Sequence, residues 1–577
     1  MRRFSATLVL LFAAMCATVP PHDNPFPRLE DLSLDEKIGQ LFAVRGFGVF
    51  MAESSAPYQR LRQAVAESRV GGVVWFASNV YETAHLTRTL QAEARVPLLI
   101  SADLEAGMGM RFLDTTFWPP AMAVAATGDP SLAEAEGRVV AREARAVGVN
   151  HILAPVADVN VDPDNPVINA RSFGEDPADV ARFVAAFIRG VQSEHVLATA
   201  KHFPGHGDTH VDSHRALPVI GASRERLDAV ELVPFRAAID AGVKSIMIGH
   251  LAVPSLDRTP VPVRGEGHGE NPYGTTADEV PAEGTLPATI SPAIVNGLLR
   301  RELGFDGLVV SDAFDMGGIT EHFDAGEAAV RAIEAGEDQI LLSANTDAAI
   351  AGVKAAVAGG RLTEARIDQS VRRILEAKAF AGSAIAGPDE IFRVVDAEET
   401  RAIAADIARR ALTLVREEAG ALPLARGARV ALVVVTDGLD PVNPLAEFEK
   451  ELKPAQTILI DPRTREELLP KIDADVIIAA FAIRARSGAG SIALPPAARR
   501  LIEANAAKRT IGIAFGTPYI LREVPRIGTY LVAYGPQPVL QRAVLEALFG
   551  RAPITGKLPV TIPDMYPRGH GVTRTKD

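Results

Sequence analysis

Cysteine is all but missing from this chain: Cys16 is the only one among 577 residues. Without a pair, no disulfide braces the fold, and because Cys16 lies in an N-terminal apolar segment, thiol catalysis and cysteine-ligated metal sites are excluded as well. Basic residues are in deficit, 60 Lys and Arg against 72 Asp and Glu, which leaves a net charge of −12. A chain with that balance and no basic patch lacks the electrostatic footprint of a nucleic-acid partner. Past the N-terminus no run reaches the roughly 18 apolar residues that a spanning helix needs, so the body of the chain is not expected to cross a membrane. What remains, 47% hydrophobic and 23% charged residues, is the composition of a folded globular protein with a large core.

The first residues read as a targeting segment. Arg2 and Arg3 precede Leu8-Val9-Leu10-Leu11-Phe12-Ala13-Ala14-Met15, too short to span as a helix, and small residues and Pro20-Pro21 follow. Residues 1–22 are therefore expected to be a signal peptide, and the protein to be exported, periplasmic or secreted; a buried N-terminal helix is the alternative. Cys16 stands where a bacterial lipoprotein accepts its lipid, although Met15 fills a place where a small residue is expected. That anchor is the only membrane contact the sequence offers.

From about residue 30 to 380, short apolar runs alternate with alanine-rich amphipathic stretches. The expected strands are Leu41–Arg45, Gly72–Phe76, Leu98–Ala102, His151–Pro155, Leu197–His202, Ser245–His250, Gly307–Asp312 and Gln339–Ser343. Helical patterns such as Ser131–Val147 and Arg224–Ala241 lie between them, and Arg372–Ala384 closes the series. Runs apolar nearly throughout suit strands covered on both faces. Eight strand–helix repeats fit a TIM-type (β/α)8 barrel, placed here at residues 28–385. Asp103, Lys201-His202, His250 and Asp312 fall at or just after strand ends, on the rim where barrel active sites sit. Arg258–Pro287, rich in Gly, Pro, Thr and Glu, reads as a long excursion near the site mouth or a plain insertion. A second α/β pattern occupies residues 400–577, with strands near Val430–Val435, Thr457–Asp461, Val476–Phe481, Thr510–Phe515 and Thr529–Val532. Helices at Pro496–Lys508 and Pro538–Phe549 make it an open α/β sandwich, and it carries no G-x-G-x-x-G nucleotide fingerprint.

The densest chemistry lies in Lys201-His202-Phe203-Pro204-Gly205-His206-Gly207-Asp208-Thr209-His210-Val211-Asp212-Ser213-His214. Its histidines recur every four residues, which on a helix would make a metal-binding face. Pro204, Gly205 and Gly207 forbid a continuous helix, so no metal or cofactor is assigned. A loop held together by histidine hydrogen bonds is the plainer alternative. Asp212 and His214 stand two apart, close enough for the carboxylate to orient one ring nitrogen and leave the other free for general acid/base work. Asp312 closes the apolar run Leu308-Val309-Val310-Ser311 and so projects at the barrel mouth, where a carboxylate could attack an anomeric carbon. A helix N-cap or rim ion pair is its alternative role, and Asp315 is the competing nucleophile.

Three stretches, KHFPGHGDTHVDSH, GLVVSDAFDM (Gly307–Met316) and RSFGEDP (Arg171–Pro177), resemble the β-N-acetylglucosaminidase branch of glycoside hydrolase family 3. LSLDEKIGQLF (Leu32–Phe42), LPATISPAIVNGLLRRELGFDG (Leu286–Gly307) and GKLPVTIP (Gly556–Pro563) extend the resemblance over most of residues 30–577. It implies a retaining mechanism with Asp312 as nucleophile and Asp212 with His214 as acid/base dyad. It also implies sugar-binding roles for Asp103, Arg111, Arg171, Lys201 and His202. The implied substrate is an amino-sugar oligosaccharide or muropeptide. Where the family has I-D-x-E-G-G-R-V-x-R, this chain has Ala106 for the first glycine and Met108 for the first arginine. A histidine acid/base is neutral once its proton is given up, so it adds no negative charge beside a glycosyl intermediate. Phosphate is thus an alternative acceptor to water, and a β-glucosidase or β-xylosidase of the same family is an alternative specificity.

Overall fold

In a computed structural model, residues 26–213, 216–261, 285–438, 442–485 and 492–576 are described. The leader with Cys16, His214 and most of the 258–287 excursion lie outside them. Eight parallel strands follow one another in the order they occur: β1 Phe42–Phe47, β2 Gly72–Phe76, β3 Leu99–Ala102, β4 His151–Ile152, β5 Leu197–Phe203, β6 Ser245–Ile248, β7 Leu308–Ser311 and β8 Ile340–Leu341. β8 returns to pair with β1, and the Ser311 N–H donates to the Gln339 carbonyl at 3.1 Å, so the sheet closes into a barrel. Most positions on these strands are apolar because each is covered by a helix outside and by the barrel core inside. One interior layer is polar and self-satisfied: His151 bridges Ser101 Oγ at 2.9 Å and Thr199 Oγ1 at 2.8 Å. Burial pushes that imidazole down to about 3, so it is neutral and uses one nitrogen as donor and one as acceptor.

Helices start where short polar side chains can take the orphan N–H groups of the first turn. Ser33 and Glu36 form a reciprocal capping box, and Asp129 and Asp176 cap the long helices Pro130–Ala146 and Pro177–Ser193. The expected helix Arg224–Ala241 is two, Arg224–Ala229 and Val233–Asp240. Pro234 cannot donate to the turn before it, and its ring crowds the carbonyl four residues back.

Helices at Pro388–Val394 and Glu398–Ala411 carry the chain to a six-stranded sheet. It comprises β9 Thr413–Arg416, β10 Val430–Thr436, β11 Gln456–Ile460, β12 Val476–Ala482, β13 Arg509–Ala514 and β14 Thr529–Val532, in the order β11-β10-β12-β13-β14-β9. Five strands run parallel; β9 pairs antiparallel with β14 at the edge. Polar contacts pin this sheet's loops over the barrel mouth. Asn160 Nδ2 donates to the Tyr519 hydroxyl at 2.9 Å, Arg522 pairs with Asp164 at 3.0 Å, and the Glu175 carboxylate accepts from the Thr561 N–H and hydroxyl at 2.7 and 2.6 Å.

Candidate active site

A cavity of about 820 Å³ opens at the carboxyl ends of the barrel strands. Its lining includes Asp103, Arg111, Arg171, Lys201, His202 and Asp312 from the barrel, together with Arg484, Tyr534 and Gln537 from the second sheet. Six of the eight residues singled out from sequence therefore share one space.

Their side chains form one charged network. Asp103 directly follows β3, and Lys201 lies within β5 with its side chain 3% exposed. Lys201 Nζ reaches Asp103 Oδ1 at 2.8 Å and Glu105 Oε1 at 2.7 Å. Arg111 donates to Asp103, and Arg171 grips Glu105 through two bonds of 2.8 Å. Burial alone would raise both carboxyls, but the cations outweigh it: Lys201 and Arg111 hold Asp103, and Arg171 and Lys201 hold Glu105, well below the usual carboxylate range. Lys201 is raised for the reciprocal reason, since its two carboxylate partners overcome burial. Asp103, Glu105, Lys201 and Arg171 stay ionised across the physiological range. Such a floor presents fixed donors and acceptors to hydroxyl groups without needing to reorganise.

His202 is fixed from behind. Asp158, fully buried, accepts from His202 Nδ1 at 2.8 Å and from the His202 and His206 N–H groups at 3.1 and 2.7 Å. That contact places a proton on Nδ1, because a carboxylate oxygen can only accept. Asp158 has no motif or strand-end position to mark it in the sequence, and Glu105 stands there only at the glutamate position of the I-D-x-E pattern.

Asp312 is the first residue after β7. Its N–H donates to the Ile248 carbonyl at 2.9 Å, and its Oδ1 accepts from the Ala313 N–H at 2.8 Å. His250, expected on the rim, braces the same turn from below: its ring joins Thr289 Oγ1 at 3.0 Å and the Ala313 carbonyl at 2.9 Å. Asp315 does not line the cavity; it pairs with Arg45 at 2.9 Å, and Arg45 and Arg111 each lie 4.8 Å from the Phe76 ring centroid.

Asp212 is buried, and its carbonyl accepts from the Ala216 N–H at 3.1 Å. His214 lies outside the described residues, so its expected pairing with Asp212 is not part of this geometry. The carbonyl of Ser213 accepts from the Gly318 N–H at 3.2 Å, which docks this loop on the segment that follows Asp312. Among the described residues no group of three His, Cys, Asp or Glu is arranged to hold a metal ion, and no helix is long and apolar enough to cross a membrane.

Of the two departures in the Asp103 segment, Ala106 lines the cavity, whereas Met108 is fully buried in the barrel core. Between them, Gly107 has φ +70°, and a Cβ there would stand 2.1 Å from Trp118 Cδ1, so only glycine fits. Arg484 and Ala485, just past the end of β12, reach the cavity, with Arg484 paired to Asp437 at 3.3 Å; residues 486–491 lie outside the described set.

Comparison with known proteins follows the same outline. Residues 33–377 match the glycosyl hydrolase family 3 N-terminal domain. A protein of Cellulomonas fimi named β-N-acetylglucosaminidase/β-glucosidase is 32% identical over 556 residues, 92% of this chain and 94% of that one. The structure of a family 3 β-N-acetylglucosaminidase from Paenibacillus sp. superposes with a TM-score of 0.77 at 34% identity, covering 92% of this chain and 99% of the other. That of a β-glucoside phosphorylase, BglX, gives 0.81 at 28% identity over 93% and 95%. With the barrel, the second mixed sheet and the shared cavity in place, the chain belongs to glycosyl hydrolase family 3 and is a glycoside hydrolase with β-hexosaminidase relatives.

Proposed function

We propose that this chain is a retaining exo-β-N-acetylhexosaminidase that releases the terminal non-reducing β-linked N-acetylhexosamine of peptidoglycan fragments or chitooligosaccharides. The observation that carries it is Asp312 facing a cavity whose floor is the Asp103–Lys201–Glu105–Arg171 network with Arg111 and His202. In this reading the floor holds the sugar hydroxyls and Asp312 attacks the anomeric carbon, forming a glycosyl-aspartate. His214, oriented by Asp212, protonates the departing oxygen and then deprotonates the incoming water. The neutral histidine left after the first step puts no second negative charge beside the intermediate. Names of the relatives favour an amino sugar, and the leader-like segment favours action outside the cytoplasm, periplasmic or secreted.

Asp312→Ala is expected to lower turnover of an aryl N-acetylglucosaminide by about 10³-fold or more, as loss of a nucleophile does. A folded variant with near-normal turnover refutes the assignment. A second reading is favoured by the likeness to a β-glucoside phosphorylase: the intermediate is passed to phosphate instead of water. Product analysis on chitobiose with and without phosphate decides, since only phosphorolysis yields the sugar 1-phosphate.

A further inference from the structure

His206 belongs to the histidine-rich loop but not to the cavity lining. It is buried, and every polar group it carries has a partner. Its N–H donates to Asp158 Oδ1 at 2.7 Å, and its carbonyl accepts from Asn165 Nδ2 at 2.9 Å. In the ring, Nδ1 lies 2.8 Å from Thr209 Oγ1 and Nε2 lies 2.9 Å from Ser213 Oγ. Burial, with His202 alongside, pushes the imidazole down to about 4. A neutral ring has one donor and one acceptor nitrogen, so either tautomer ties both hydroxyls to the ring.

Ser213 stands between Asp212 and His214. Its hydroxyl is held by His206 on the β5 side, and its carbonyl by the Gly318 N–H on the β7 side. Ser213 is thus held by one hydrogen bond on each side. Behind it, His206 is locked to Asp158, the same carboxylate that orients His202. One chain of hydrogen bonds thus runs from His202 through Asp158 and His206 to Ser213, the residue before the expected proton donor.

We propose that His206 is a positioning residue which, through the Ser213 hydroxyl, fixes the Asp212–Ser213 segment that leads directly into His214 in the chain. This rests on the reading of Asp212 and His214 as the acid/base pair. A misplacement of about 1 Å in a reacting geometry can cost around 100-fold, so the clamp matters even though His206 touches no substrate.

The test uses the full chain and the dependence of kcat/KM on leaving group. A 2,4-dinitrophenyl glycoside departs without protonation, whereas a phenyl glycoside or chitobiose needs the acid. Ser213→Ala removes one hydroxyl and little else. It is expected to lose about tenfold or more with the poor leaving groups and less than about twofold with dinitrophenyl, an order of magnitude drawn from the cost of mispositioning. Ser213→Thr, which restores the hydroxyl, recovers the loss, and His206→Ala with Ser213→Ala is no worse than His206→Ala alone. Equal losses across leaving groups, no loss in Ser213→Ala, or additive losses in the pair overturn the proposal. His214→Ala separates the two levels: if it shows the leaving-group split and Ser213→Ala does not, only the positioning role fails. If His214→Ala shows no split, the acid/base assignment itself fails.

Discussion

Replacing Lys201 with methionine keeps the side chain's length and deletes the one charge that touches both Asp103 and Glu105. In the native protein Nζ lies 2.8 and 2.7 Å from those carboxylates, and the side chain is 3% exposed. Removing one partner of a buried ion pair costs roughly 3–5 kcal/mol, because the stranded charge stays desolvated. Neither carboxylate is left without a cation here, since Arg111 still touches Asp103 and Arg171 still grips Glu105. The lower end, about 3 kcal/mol, is therefore expected at pH 7. At roughly 2 °C per kcal/mol, suited to a large domain, the melting midpoint falls by about 6 °C. The sign of the pH dependence follows from the two carboxyls. In the native protein both are held below their ordinary range, so their contribution is present at neutral pH and lost only as pH falls well below about 4. Without Lys201, one of them can take up a proton inside the folded protein as pH drops, which relieves the stranded charge. The gap in midpoint between the two proteins should thus narrow between pH 7 and pH 4.5 in scanning calorimetry. A gap that stays constant or widens on acidification would refute the electrostatic account.

Two further predictions probe positions away from Asp312. Glu143 is buried, accepts from Thr400 Oγ1 at 2.6 Å and the Asp396 N–H at 2.8 Å, and is pushed up to about 7, chiefly by burial. A raised carboxyl favours the folded state at low pH, so its contribution declines from about pH 4.5 to 7, by at most about 3 kcal/mol at 1.36 kcal/mol per unit. Glu143→Gln should flatten that decline when thermal midpoints at pH 5 and 8 are compared; an unchanged slope excludes Glu143 as its source. In the histidine-rich loop, a Cβ on Gly207 would stand 1.7 Å from the Val159 carbonyl oxygen, a contact no rotamer can relieve. Gly207→Ala is expected to shift the 208–213 segment and cut kcat/KM by about tenfold or more while leaving far-UV circular dichroism intact; native-like kinetics would show that the loop tolerates the shift.

The barrel was legible because its strands are written as apolar runs bounded by polar residues, and the match is close: Gly72–Phe76 is expected and observed alike. Leu197–His202 extends by one residue to Phe203. β9 was passed over because Thr413–Arg416 is four residues long and follows a helix directly, leaving no turn signal to announce it. The expected Arg224–Ala241 helix is divided because Pro234 can begin a helix but not continue one. Asp103, Arg111, Arg171, Lys201, His202 and Asp312 were picked out by motif and strand position, and all line one cavity.

What the sequence determined by itself is therefore local: which segments alternate, which residues stand at strand ends, and which residue types are gathered near His202 and Asp312. Tertiary structure alone decided the rest. Lys201 and Asp103 are 98 positions apart, and their 2.8 Å contact exists only because β3 and β5 flank β4 in one closed barrel. Asp158 became the anchor of His202 and His206 through a loop crossing no periodicity could reveal. Arg484, Tyr534 and Gln537 joined the cavity because interdomain contacts such as Asn160–Tyr519 hold the second sheet over the barrel mouth. A residue's charge and strand phase are encoded where it stands; the field it feels is set by neighbours that only the folded chain brings within a few ångströms.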